Sequence, residues 1–247
     1  MEKPIELGSF YCNGTPYRVN VQYPGGTITL GNTVQNAEIH WLRYKSMLVA
    51  DRCLCTDVPW DILNHFGLIF GTVFCIEGQY YWCRVPKMGT TEDAPCEWSD
   101  IVDAFGNDNN CLHFMHQYSL GQESVDVTLS DGSVMEMRAV RGYFSGKARS
   151  ACQRGLKAKN VGWRPILEPL EGIENPNDLS FGADVILLGR DGRSVQGRLV
   201  DATDYDMELA LTTPLPDNCR WAVQDRNRIV ASRESVDVQL RRKKTNG

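Results

Sequence analysis

The 247-residue chain contains no apolar run long enough to cross a bilayer as a helix, so no membrane span is expected. Its first residues, Met-Glu-Lys-Pro-Ile-Glu, lack the apolar core of a secretory signal. Synthesis in a host cytoplasm, with no cleaved signal peptide, is the expectation. No Gly-x-Ser-x-Gly elbow, Walker-type loop or dinucleotide fingerprint is present, so the sequence gives no support to those hydrolase, P-loop or Rossmann chemistries. Cys-x-x-Cys is missing as well. The nine cysteines are odd in number and irregular in spacing, which fits mostly buried, reduced thiols better than a disulfide framework. Long helical periodicity is scarce, and turn signals are dense.

What the chain does hold is an ordinary globular composition, 42% apolar and 23% charged, sufficient for a packed core in one large or two modest domains. The formal charge is −5. Against that background residues 138–164 form a positive island. Arg138, Arg141, Lys147, Arg149, Arg154, Lys157, Lys159 and Arg164 lie in it, and no acidic residue falls between Glu136 and Glu168. Tyr143, Phe144 and Trp163 interleave these charges. Arginine and aromatic side chains together are the usual material of interface hot spots, and they also suit phosphate contact and base stacking. The candidate binding residues are therefore Arg141, Tyr143, Phe144, Lys147, Arg149, Arg154, Lys157, Lys159, Trp163 and Arg164. The competing reading is a loop whose charges pair with carboxylates elsewhere in this acidic chain.

Two short helices are expected. One is capped at Asp57, carries Pro59 early and runs through Trp60-Asp61-Ile62-Leu63-Asn64-His65-Phe66 to Gly67. The other covers 97–105, with Trp98, Ile101, Val102 and Phe105 on one face and Gly106 as its stop. Hairpins are expected around Gly78, between 72–76 and 80–84, and at Asp131-Gly132, between 125–129 and 134–137. The register of the first decides whether Cys75 and Cys83 share a face. Residues 8–35 read as strands and loops. Beyond a linker at 171–182, short β runs at 185–188, 195–200, 207–211, 221–223 and 236–240 read as a small β unit, followed by a basic tail at 241–247.

Other reactive residues are weaker candidates. Cys111, His113 and His116 are zinc-type ligands at no standard spacing, and a packed His/aromatic cluster is the favoured reading. Cys53 and Cys55 alternate on an expected strand as structural thiols. Asp201, Asp204 and Asp206 lie in a turn-like acidic run too sparse in regular oxygen ligands for calcium. No cofactor or metal is assigned.

Four pieces in order carry a family resemblance: Trp60-Asp61-Ile62-Leu63 with Gly67-Leu68-Ile69-Phe70-Gly71; Glu97-Trp98-Ser99-Asp100; Arg141-Gly142-Tyr143; and Val161-Gly162-Trp163-Arg164-Pro165-Ile166-Leu167. Together they resemble the C-type-lectin-like fold of formylglycine-generating enzymes and of variable proteins of diversity-generating retroelements, as found in phages and prophages. The match spans roughly residues 40–170. It implies a compact domain that displays the loop 145–160, the centre of the basic island, to partners. The enzymes of that fold use a pair of nearby copper-binding cysteines. Here Cys152 is the sole cysteine between Arg138 and Pro165, so that activity is not carried over.

The sequence thus leads to an α+β fold. N-terminal strands and a C-type-lectin-like domain with short helices and irregular loops fill residues 1–170, and a small C-terminal all-β, barrel-like domain fills 183–240. The functional expectation is a non-enzymatic, phage-type binding protein, virion-associated or receptor-binding, whose basic loop meets a protein or anionic surface. Nucleic acid is a second candidate partner, and self-association through the C-terminal β unit is also expected. Two alternatives stand beside it. One is an intracellular mobile-element inhibitor of a host nucleic-acid- or nucleotide-dependent defence machine. The other is an enzyme of the formylglycine-generating fold with altered chemistry.

Overall fold

A computed structural model of the chain describes residues 3–91, 95–173, 179–216 and 219–242. Most of the basic tail and the centre of the expected linker lie outside these residues. The strands of the first half are β1 (Ile5–Cys12), β2 (Thr15–Tyr17), β3 (Val21–Gln22), β4 (Ile28–Gly31), β5 (Glu38–Tyr44), β6 (Met47–Ala50) and β7 (Cys55–Thr56). Helix α1 (Trp60–His65) precedes β8 (Thr72–Ile76) and β9 (Gln79–Arg84). Helices α2 (Glu97–Ala104) and α3 (Asn109–Leu112) follow. Then come β10 (Tyr118–Thr128), β11 (Val134–Gly142), β12 (Arg149–Cys152), β13 (Val161–Trp163) and β14 (Ile166–Gly172). The last six are β15 (Asp184–Gly189), β16 (Ser194–Ala202), β17 (Asp206–Leu211), β18 (Ala222–Asp225), β19 (Arg228–Ser232) and β20 (Val236–Arg242).

The α+β expectation is corrected by this inventory: the protein is mostly β, 49% strand against 9% helix. The apolar patterns at 60–66 and 97–105 are genuine helical faces, but Gly67 and Gly106 stop them after 6 and 8 residues. Short period-two runs take up most of the remaining chain. The cap of α1 differs too. Pro59, not Asp57, occupies the cap position without a side-chain bond, and Asp57 is left-handed at φ 60°.

Among the described residues the strands form two sheets. The larger runs β18-β19-β17-β16-β15-β20-β14-β6-β5-β1-β2, with β4 also on β1 and the β8–β9 hairpin joined through β9 to β14. The smaller runs β12-β11-β10-β13-β7-β3, with β10–β13 and β3–β7 parallel. Central strands β5, β6 and β14 are apolar on both faces. Trp41, Leu48 and Leu167 pack into one core, with Phe10, Leu63 and Trp163, while Leu42, Val49 and Ile166 pack into another, with Trp98, Ile101 and Phe114. Successive side chains of a strand alternate sides, so a strand buried on both faces reads as a continuous apolar run.

The hairpin expected around Gly78 turns at Glu77-Gly78, both at positive φ. Cys75 then faces Tyr80 across the strands and Cys83 faces Thr72, so the two thiols lie on opposite sides and stay free. The Asp131-Gly132 turn is present, with Gly132 at φ 83°, but the strands it joins extend much further than the sequence pattern showed.

Strands β15–β20 have their own apolar cluster, including Val185, Leu187, Leu209 and Ile229. They also continue the large sheet, because β20 pairs with both β15 and β14. A second cluster, Val73, Trp82, Leu170, Ile186 and Leu240, spans that seam, and the Ser194 hydroxyl accepts from the Val73 amide at 2.9 Å.

Candidate functional site

The basic island divides into three groups. Arg141, Trp163 and Arg164 are interior residues. Arg141 donates to the carbonyls of Met88, Thr91 and Lys147, all within 3.1 Å. Arg164 donates to the carbonyls of Ala50 and Asp51 and to the Ser119 hydroxyl, with its guanidinium 5.3 Å from the Trp98 ring centre. Trp163 packs edge-on against Phe10, and its indole N–H has no acceptor among the described residues. Buried guanidiniums of this kind satisfy backbone carbonyls that no strand neighbour reaches. These three, expected at an interface, instead lie in the interior, and of them Arg141 bonds the loop from beneath through the Lys147 carbonyl.

The second group is neutralised locally. Lys147 meets Asp103 at 2.5 Å, Arg154 meets Asp61 at 2.6 Å, and Arg138 meets Glu136 at 3.0 Å while lying over the Trp60 ring. The third group is Arg149, Lys157 and Lys159. All three are exposed, and no carboxylate among the described residues comes within ion-pair range of them.

Between these charges stands an aromatic cluster that the sequence only half disclosed. Tyr143 stacks on Tyr118 with ring centres 5.1 Å apart and planes at 17°. Phe144 and His116 meet Tyr143 edge-on at 4.7 and 5.7 Å. Phe144 is 73% exposed and Met115 is also exposed. Tyr143 and Phe144 were legible from their place in the basic run. Met115, His116 and Tyr118 were not marked as interface residues, because long-range pairing brings them there: Tyr118 by β10 with β11, and Met115 and His116 by backbone pairing with Tyr143.

The backbone fixes this cluster in place. The Tyr143 amide donates to the carbonyls of Phe114 and Gln117, and the Tyr143 carbonyl accepts from the His116 amide at 2.9 Å. The Tyr118 amide donates to the Asn160 carbonyl, which sets Lys159 one residue from the stack. Three non-glycine residues here are left-handed: His113 at φ 40°, His116 at φ 62° and Tyr143 at φ 78°. Such conformations cost about 1–3 kcal/mol each and concentrate where a surface is shaped for a task. Gly142, at φ 127°, lies so close to the Gln117 carbonyl that a Cβ would approach its oxygen to 2.3 Å. Only glycine lets the chain enter this corner.

The Cys111/His113 run opens onto a separate pocket of about 340 Å³, lined among others by Lys3, Arg43, Asp51, Phe105, Cys111 and His113. The buried Asp51 carboxylate is held by both Arg52 Nε and Nη2, at 3.0 and 2.8 Å. Arg52 Nη2 also lies 3.0 Å from His113 Nε2. A guanidinium can only donate, so Nε2 accepts and the ring proton sits on Nδ1, facing Asp51 Oδ2 at 3.6 Å. The lone pair that a general base would use is thus engaged by Arg52. Burial, and after it the Asp108 carboxylate, push the Cys111 thiol upward, away from the thiolate a nucleophile needs. Cysteine, histidine and aspartate thus line one pocket. Among the described residues no three His, Cys, Asp or Glu side chains converge to hold a metal ion, and no helix is long and apolar enough to cross a membrane.

No family model, curated protein or solved structure matches the chain.

Proposed function

We propose that this chain is a binding protein whose working surface is the rigid aromatic cluster of Met115, His116, Tyr118, Tyr143 and Phe144, bordered by Arg149, Lys157 and Lys159. The observation that carries this reading is Phe144. It is a large apolar ring left 73% exposed, yet supported by a stacked tyrosine pair on a strained corner held by backbone hydrogen bonds. An exposed aromatic fixed in this way loses little conformational freedom on binding, which is what makes aromatic residues effective anchors. The three exposed cations, which meet no carboxylate among the described residues, favour an anionic partner, either an acidic protein surface or a polyanionic chain. The phage or prophage setting implied by the family resemblance belongs to this proposal and rests on that resemblance alone.

Titration of the protein with defined polyanions (polyglutamate, heparin and single-stranded DNA) tests it. At least one should bind saturably. Phe144→Ala and the Lys157→Glu/Lys159→Glu pair should each weaken that binding by about tenfold, roughly 1.4 kcal/mol, with the melting temperature unchanged. Binding that survives both variants, or the absence of any binding, would remove this surface from consideration. The salt dependence then sorts the partner: a polynucleotide loses affinity steeply as salt rises, whereas an interface centred on Phe144 loses little.

A further inference from the structure

A second basic and aromatic site lies far along the chain from the first, in the β15–β20 strands. Arg190, Arg193, Arg220, Trp221 and Ser235 line an open pocket of about 710 Å³, together with Asp191 and Glu234. Asp191 organises it. Its carboxylate accepts from the Trp221 indole N–H at 3.0 Å, from the Arg193 amide at 3.0 Å and from the Arg193 guanidinium at 3.1 Å. One side of the Trp221 ring system rests on Gly189, where a Cβ would come within 2.2 Å of the indole nitrogen. Glycine at 189 is thus what lets the indole lie on the backbone. Arg190 and Arg220 are exposed, and among the described residues no carboxylate lies within ion-pair range of either.

An oriented indole offers a flat stacking surface, and paired guanidiniums are the side chains best matched to phosphate oxygens. The volume falls within the range of small-molecule sites. A single indole accommodates a single ring rather than a strand of bases. We propose that this pocket binds a nucleoside monophosphate or a close relative, with the base against Trp221 and the phosphate between Arg190 and Arg220. Asp191 is a positioning residue that holds Trp221 and Arg193.

Calorimetric titration of the full chain with AMP, GMP, CMP and UMP, and separately with adenosine and inorganic phosphate, tests the assignment. At least one nucleotide should bind about tenfold more tightly than either fragment. Arg190→Ala and Arg220→Ala should each weaken it by about tenfold, and Trp221→Leu likewise, whereas Trp221→Phe keeps a stacking surface and stays within about threefold of the wild type. Both arginines are exposed, so their variants should keep the wild-type melting temperature. The comparison of nucleotide with fragments on the unmodified protein needs no variant at all. The proposal is overturned by no nucleotide binding in the millimolar range, by phosphate binding as tight as nucleotide binding, or by unchanged affinity in both arginine variants. A single-stranded oligonucleotide that binds far more tightly than any mononucleotide, and depends on the same arginines, would also overturn it in favour of a polynucleotide track.

Discussion

Arg164 carries a charged guanidinium into the core, where burial pulls its pKa below the ordinary arginine value. Its fork reaches three carbonyls, of Ala50, Asp51 and His113, and a hydroxyl at once. Replacement by leucine leaves those groups without a donor, and each buried unpartnered group costs about 1–3 kcal/mol. Arg164→Leu should therefore lower the free energy of unfolding in urea by about 3–5 kcal/mol. Lysine cannot reproduce the fork, so Arg164→Lys should recover little of the loss. A wild-type urea midpoint for Arg164→Lys would show that charge alone suffices. Tyr143 poses the opposite case. Glycine would release its left-handed strain but also remove the stack on Tyr118, so Tyr143→Gly should change stability by only about 1 kcal/mol. The same substitution should weaken polyanion binding about as much as Phe144→Ala does, because it removes the support beneath Phe144. Unfolding in urea and a binding titration on one protein preparation separate the two effects.

At the scale of elements, the junction of β9, β14, β20 and α2 is tied by ion pairs rather than by apolar contact alone. Arg84 on β9 bonds Glu168 on β14 at 2.6 Å and Glu97 at the start of α2 at 2.5 Å, and Arg242 on β20 reaches the other Glu168 oxygen. Burial by itself would raise the Glu97 carboxyl. Its hydrogen bonds and charge attraction to Arg84, with the Lys87 amide, outweigh burial and hold it below its ordinary value of 4.5. A carboxyl lower in the folded than in the unfolded chain stabilises fully above the unfolded value, and that stabilisation is lost as pH falls through the folded value. Wild-type stability should thus decline below about pH 4.5 partly through Glu97. Glu97→Gln should be less stable at neutral pH and show a flatter profile between about pH 5 and pH 3. Urea titrations across that range provide the check, and parallel curves for the two proteins would remove Glu97 from the acid response. The sequence displayed none of this network, since Arg84, Glu97, Glu168 and Arg242 are far apart in the chain and lack any motif.

For the whole molecule, the question is whether the C-terminal strands melt with the remainder. The spacing of the short β runs suggested a unit of its own after a linker. In the structure β20 bridges β15 to β14, and Trp82, Leu170, Ile186 and Leu240 pack across the seam. A shared sheet and a shared apolar cluster couple the two halves, so calorimetry should give one transition whose van't Hoff and calorimetric enthalpies agree. Two resolved transitions would show that the seam is too weak to couple them. The two candidate binding surfaces lie on opposite sides of this seam in sequence, one on the 113–160 loops and one on β15–β20. Neutralising either set of arginines or lysines should leave ligand binding at the other unchanged if the sites are independent.

By itself the sequence determined the short helices α1 and α2, though not α3, both Gly-marked hairpin turns, most of the C-terminal strands and the concentration of charge at 138–164. These depend on local chemistry: apolar period, glycine at positive φ and composition over a short window. Tertiary structure decided the fold class, because the two-sided burial of β5, β6 and β14 and the long β10–β11 pairing depend on partners distant in the chain. It also decided which basic residues face outward. Arg141 and Arg164 read like Lys157 and Lys159 in a list of charges, yet the first two are drawn inward by carbonyls that strand pairing leaves unmatched, and the latter two stay in solvent. The same physics brought Tyr118 and His116 to Tyr143, and Trp221 to Asp191, since a contact between distant residues leaves no periodic trace in the residues themselves.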